Sequence, residues 1–414
     1  MQRKTMQSKI DDVATSVLTS AKANNKYLHA VPGKARIIGV FKEIEVFQEA
    51  ARLLATTQTH AEIRFYKFTI SSYAGSQIAM SLQQVKHYAD EEKKPITIRI
   101  LLNRRGKIAA LFYGSNKGTG LETLQKQLNS EFFHLEVAYH TTSAFGSYHA
   151  KVISIDDRYL FICGGDPDSG LELKLYETAL SLESHELCTA SRREFDVLWK
   201  STLVDSESRV KDALQQEELE STIQQINTDH VDVLYVSSQA TESPISSERS
   251  PFKIAIIQGI FRAQSIIYLM TPNLNDSDVI AALANAINRG VQVYMMMGKF
   301  MNEKKEKLWG GTNSSSIEKL VAKLLPDKRR FLHLRWATQL ETCQLSEEYG
   351  PCRVHAKFCC IDNELLLMGS SPLDNQGMKH SHEVDIVALL SSDQAKNIVK
   401  HIFEERYLHG RVSF

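Results

Sequence analysis

The sequence has no excess of charge of either sign: 49 lysines and arginines stand against 49 aspartates and glutamates. That balance argues against a protein whose main task is gripping nucleic acid over a broad basic surface, while leaving room for a local basic cleft. Cysteine is scarce, six in 414 residues, and Cys359 and Cys360 are adjacent. A small disulfide scaffold is excluded, and a reduced, cytoplasmic setting is expected. No stretch approaches the 18 apolar residues of a membrane span. The first 22 residues lack the apolar core of a signal peptide and read as a polar, helical lead-in. What is present is ordinary for a soluble globular protein: 43% hydrophobic and 24% charged residues, which rules out a disordered chain or a collagen-like fibre. A chain of this length implies two domains or one large duplicated unit with ample core.

Duplication is what the pattern supports. Residues 61–70 read as a strand, 74–88 as a helix and 96–103 as a strand. A Gly-rich loop at 114–120, a helix near 121–129 and a strand near 134–142 follow. The order then recurs: strand 264–271, helix 277–289 with Ser277 as its cap, strand 291–298, Gly/Ser-rich loop 310–316, helix near 317–325 and strand near 331–336. Strands alternating with helices at this spacing mean α/β layers around a largely parallel sheet. Each half closes with strand-like runs and a helix, at 189–203 or 392–406. Charged, Gln-rich residues 205–229 and the Ser/Pro-rich run 237–251 mark the join, placed near 230.

Each half carries one matching cluster. His149, Lys151 and Asp156 form HxKxxxxD in the first, and His355, Lys357 and Asp362 form it in the second. Glu177 follows His149 by 28 residues, and Glu383 follows His355 by the same interval. On a strand the His and Lys of each motif share a face, while the Asp turns away. One such match is weak; two, at corresponding places in a repeat and each followed by Glu at one offset, are a strong signal.

This arrangement resembles the phospholipase D superfamily, over roughly residues 36–185 and 233–392. The resemblance implies a duplicated α/β fold: two mixed β-sheets flanked by helices and related by pseudo-twofold symmetry, with the two motifs meeting at the interface. The corresponding division is a lead-in at 1–35, a first half at 36–204, a helical connection at 205–232 and a second half at 233–414. It also implies a chemistry. A neutral imidazole attacks the phosphodiester and forms a phosphohistidine. The other, protonated, serves as general acid and then as base. Two lysines stabilise the non-bridging oxygens, with no metal or cofactor. We take His149 as nucleophile and His355 as its partner, with Glu177 and Glu383 holding the rings in the required tautomer. Asp156 and Asp362 support the site structurally.

The sequence departs from the family where an Asn is common, 17 residues after each His: Asp166 and Pro372 stand there. An amide would help bind phosphate, whereas Asp166 repels it unless protonated or turned aside. Ser370 and Asp166 are the candidate substrate-binding residues. The expected activity is headgroup cleavage of a phospholipid, by hydrolysis or headgroup exchange, in an active site complete within one chain that touches membranes transiently. The alternatives are a nuclease of the same superfamily, a cardiolipin- or phosphatidylserine-synthase-like transferase, and a degenerate, non-catalytic binding protein.

Other features have plainer readings. A zinc site from Cys343, Cys352, His355, Cys359 and Cys360 has no standard spacing, and buried core thiols account better for the last two. The loop 114–120 lacks a Walker ending and reads as a helix-capping loop. The basic clusters Arg104-Arg105-Gly106-Lys107 and Lys328-Arg329-Arg330 read as solvated turns. Met295, Met296 and Met297 fall in a buried strand.

Overall fold

The computed structural model describes residues 13–17, 19, 28–104, 120–141, 146–168, 175–203, 230–238, 250–300, 310–338 and 353–412. The loop at 114–119, Arg105 to Lys107, Cys343, Cys352 and most of the proposed helical connection lie outside these residues.

Both halves build the same sheet in the same order. The first consists of β1 (Leu28–Lys42), β2 (His60–Phe65), β3 (Ile96–Arg104), β4 (Phe133–Thr141), β6 (Val152–Ile155), β7 (Tyr159–Cys163) and β8 (Thr178–Glu183), with the two-residue β5 (Ser147–Tyr148) set apart. The second consists of β9 (Val231–Ser238), β10 (Ile266–Met270), β11 (Gln292–Met297), β12 (Leu332–Trp336), β13 (Phe358–Ile361), β14 (Leu365–Gly369) and β15 (Ser381–Leu389). The spatial order is β1-β8-β7-β6-β2-β3-β4 in one and β9-β15-β14-β13-β10-β11-β12 in the other, with β16 (Arg411–Val412) added beside β12. In each, three parallel strands (β2, β3, β4 or β10, β11, β12) join an antiparallel meander. The two sheets are continuous, because β1 and β9 pair antiparallel from Leu28↔Ser238 to Ala35↔Val231. β1 therefore begins inside the stretch expected to be a lead-in. Residues 13–17 are helical, and Val13 and Val17 are buried in the second half's core.

Helices cross between the parallel strands as the periodicity requires: α1 (Glu45–Leu54) precedes β2, α2 (Tyr73–Glu92) links β2 to β3, and α3 (Leu121–Leu128) leads into β4. In the second half α5 (Pro251–Arg262), α6 (Ser277–Arg289) and α7 (Asn313–Ala322) hold the same places. α4 (His185–Leu203) closes the first half. Ser72 caps α2 through Gly75 N, and Thr312 caps α7 through Ser315 N. The cap of α6 is Asp276 rather than Ser277. Its carboxylate accepts from Asp278 N and Val279 N and complements the helix dipole, which a hydroxyl one residue on cannot do as well.

One core lies beneath the helices of each half, and a third draws on both, from Val152, Leu160 and Leu180 to Met270, Phe358 and Ile386. Each buried side chain of that size contributes about 1.5–3 kcal/mol, so the shared core welds the halves together. Cys359 lies in one core and Cys360 in another, as alternation along β13 demands. Met295, Met296 and Met297 are fully buried in β11.

Candidate active site

Each motif straddles a hairpin. His149 and Lys151 sit just before β6 and Asp156 just after it; His355 and Lys357 precede β13 and Asp362 follows it. Asp156 and Asp157 have φ near +50°, as do Asp362 and Asn363, and Arg158 N and Glu364 N close the turns onto Ile155 O and Ile361 O. These are tight turns whose two central residues are left-handed, a conformation that Asp and Asn tolerate, with three residues between the last paired positions of each hairpin. Asp156 accepts from the backbone N–H groups of Gln58, Thr59 and His60 and from the Thr59 hydroxyl. Asp362 repeats this with Gln264, Ser265 and Ile266. Burial raises the Asp362 pKa, but those backbone donors outweigh it and hold the carboxyl below its ordinary value. Both aspartates therefore sit at the far end of the strand from the His and Lys. Their place is structural, pinning the hairpin to the start of β2 or β10.

The other six candidates converge across the interface between halves. Spacing left open which carboxylate holds which imidazole, and the pairing is crossed. His149 Nδ1 lies 3.0 Å from Glu383 Oε1, and His355 Nδ1 lies 2.6 Å from Glu177 Oε1. The backbone enforces the exchange: β5 runs parallel to the start of β15, His149 N donates to His382 O, and His355 N donates to Tyr176 O. With Nδ1–H donating to a carboxylate, each ring keeps the lone pair on Nε2. The imidazoles are the open groups, 23% and 22% exposed, whereas Lys151, Lys357, Glu177 and Glu383 are all at 3% or less.

Lys151 Nζ donates to His149 O at 2.7 Å and lies 3.7 Å from Asp166. Lys357 Nζ reaches across to Gly164 O at 2.9 Å and sits 3.2 Å from His355 Nε2. Burial brings the Lys357 pKa down to about 8. His149 is pushed well below its ordinary value, first by burial and then by Lys151. His355 is also lowered by burial, against the opposing charge of Glu177. The two glutamates diverge. Burial raises Glu177, but the charge and hydrogen bond of His355 outweigh it and leave the carboxyl below its ordinary value. Glu383 is pushed up to about 8, by burial that Lys151 and Ser370 only partly offset. The two equivalent carboxylates therefore sit in unlike electrostatic surroundings.

The two residues expected to bind substrate are engaged internally. Ser370 is fully buried, and its hydroxyl donates to Glu383 Oε2. Asp166 Oδ1 accepts from Tyr66 N and Lys67 N, so the acid is turned aside and caps the end of β2. Its counterpart could not do the same, because the residue matching Tyr66 is Pro272, which has no N–H; Pro372 replaces the acid there. Gly165 is fixed by close approach: a Cβ there would come within 2.6 Å of Glu177 Cδ. Sequence reasoning missed Tyr66, whose ring centroid is 5.2 Å from that of His149 and 5.7 Å from Lys151 Nζ. Its only signal was its position at the end of a parallel strand, where α/β sites form.

The family described as the PLD-like domain of cardiolipin synthase matches residues 256–407. Among solved structures, the chain is similar to phosphatidylserine synthase of Haemophilus influenzae Rd KW20, at 13% identity and a TM-score of 0.64, over 96% of this chain and 92% of that one. It is also similar to polyphosphate kinase of Porphyromonas gingivalis, at 12% identity and a TM-score of 0.51, over 88% of this chain and 46% of that one. No curated protein sequence matches it at a significant level. The match over residues 256–407 and the likeness of fold over nearly the whole chain support membership of the phospholipase D superfamily. Among the described residues no helix is long and apolar enough to cross a membrane.

Proposed function

We propose that the chain cleaves the headgroup phosphodiester of a phospholipid in two steps and passes the phosphatidyl group to water or to an alcohol. The observation that carries this reading is the crossed pair of His–Glu contacts, with two buried lysines beside them and only the imidazoles open. His149 is the nucleophile, because burial and Lys151 keep its ring neutral. Its Nε2 forms a bond to phosphorus as the P–O bond to the leaving alcohol breaks. His355, backed by the ionised Glu177, gives its proton to that alkoxide. It then takes a proton from water or an acceptor alcohol, which attacks phosphorus and releases His149. Lys151 and Lys357 stabilise the charge that builds on the non-bridging oxygens. Every group in the scheme comes from one chain, so a monomer suffices.

The family description and the full-length likeness to a phosphatidylserine synthase favour an alcohol as acceptor, which makes the chain a phosphatidyltransferase. A headgroup-release assay on mixed phospholipids, with and without added alcohols, separates the outcomes: phosphatidic acid for hydrolysis, an exchanged headgroup for transfer. Single-stranded DNA and RNA run alongside test for a nuclease. Chelator should leave the rate unchanged, because the lysines supply the positive charge. Turnover of none of these substrates, with no covalent adduct, contradicts the reading.

A further inference from the structure

The two halves differ in the buried residues directly behind the site, and in charge most of all at Asp385. Asp385 lies two residues after Glu383 on β15, so the two carboxylates share a face of the sheet. It is 1% exposed, and Ser371 holds it through both its backbone N–H (3.0 Å) and its hydroxyl. The matching residue behind Glu177 is Ala179. The cross-strand neighbours exchange size to make room: Gly369 faces Asp385, whereas Cys163 faces Ala179. A Cβ on Gly369 would run into the Asp385 carboxylate. Asp374, 3% exposed and held by Asn273 and Gly377 N, is a third buried acid on this side. Glu177 has glycines at 164 and 165 behind it instead.

We infer that Asp385 is a positioning residue that makes the two His–Glu pairs unequal and so assigns His149 to nucleophilic attack and His355 to proton transfer. Two carboxylates on one face of a buried strand disfavour each other's charge, and Glu383 is among the groups that raise Asp385, so the pair tends to retain a proton in the neutral range. Glu383 then lends His149 less than a full negative charge, and His149 stays neutral. The groups facing the pair are His149 and Lys151 from the first half and Lys357 and Asp374 from the second; Lys151 and Lys357 favour ionisation, and burial opposes it. Both acids are pushed up to about 8, with burial the largest cause in each.

The inference rests on the two-imidazole reading above, and the test separates the two. The imidazoles of His149 and His355 are titrated by NMR in the full chain, assigned by loss of signal in the corresponding His→Gln variants, and kcat/KM is followed against pH. Wild type is compared with Asp385→Asn and with the double change Gly369→Cys/Asp385→Ala. The double change installs the first half's own residue pair and keeps the packed volume if the single variant misfolds. In both, Glu383 should ionise more readily and the His149 midpoint should rise, by up to about one pH unit, while that of His355 stays. The acid limb of kcat/KM should move with His149. An unchanged His149 midpoint, or equal movement of both imidazoles, overturns the inference. Absence of turnover in wild type counts against the phosphodiester reading alone, because the NMR midpoints are read without it.

Discussion

The two halves of this chain are copies in topology but differ in the packing beneath their two His–Glu crossings. Beneath the crossing that sets His149 against Glu383, the packing is charged. Arg64 is fully buried and bonds Glu194 at 2.9 Å; the Tyr235 hydroxyl donates to the same carboxylate; and Tyr148 stacks on His382 at 4.8 Å. Beneath the other crossing, Tyr176 and Val354 are buried in the core shared by both halves, with the Arg406 guanidinium 5.6 Å over the Tyr176 ring. Glu177 stands among glycines as an ionised partner, whereas Glu383 sits with Ser370, Asp385 and Asp374. A duplicated fold offers two equal imidazoles, and the two-step transfer proposed for this chain needs unequal ones. Divergence of the surroundings, with the motifs unchanged, supplies the inequality.

The comparison can be broken most sharply at the imidazoles. His149→Ala and His355→Ala should each lower turnover by at least about a thousandfold. The two should differ on a substrate with a good leaving group, such as a nitrophenyl phosphodiester. His355→Ala should still release one equivalent of nitrophenol in a burst, since such a leaving group needs no proton, and His149→Ala should not. A burst from the second and none from the first reverses the assignment.

Next in size is the charged packing. Glu194→Ala leaves the Arg64 guanidinium buried without the carboxylate it bonds and should cost about 3–5 kcal/mol of folding stability, read by denaturant unfolding. A cost below about 1 kcal/mol shows that the guanidinium finds another partner.

The glutamates sharpen the comparison. Glu177→Gln removes a full negative charge from behind the general acid and should lower kcat about a hundredfold, whereas Glu383→Gln replaces a group that is largely neutral and should cost about tenfold. Equal losses contradict the division of labour.

The smallest effect is in stability against pH. The folded-state pKa of Asp385 is raised to about 8, so its favourable contribution is present below the unfolded carboxyl pKa of about 4 and is lost as pH rises through about 8. Asp385→Asn should therefore melt higher than wild type, by a margin that grows between about pH 4 and pH 8. A constant margin implies that packing, not charge, decides the position.

Much of this was legible in the sequence, and what was not has identifiable causes. The repeat of strand and helix gave the parallel strands, and the paired motifs gave His149, Lys151, His355 and Lys357, because chemistry of this kind needs those groups in fixed local spacing. Strand alternation turned Asp156 and Asp362 away from the cluster; the structure sets them apart instead by turns at Asp156-Asp157 and Asp362-Asn363, at the far ends of β6 and β13. The crossing of the glutamates had no local signal. An equal offset of 28 residues says only that both halves carry the group, and the partner is chosen by β5 lying against β15, a contact between residues 234 apart. Asp385 was hidden for a related reason: it is read only by laying one half over the other and finding Ala179 in its place. β1 was obscured because it opens the first half among residues whose polar, helical character extended the lead-in too far.

The most direct test of the central claim is to trap the covalent intermediate. His355→Ala is mixed with a nitrophenyl phosphodiester, quenched without acid and digested, and the peptides are weighed by mass spectrometry. The account predicts one phosphoryl adduct, on the peptide carrying His149 and absent from His149→Ala/His355→Ala. Nitrophenol release with no adduct on His149, or with the adduct on another residue, contradicts it.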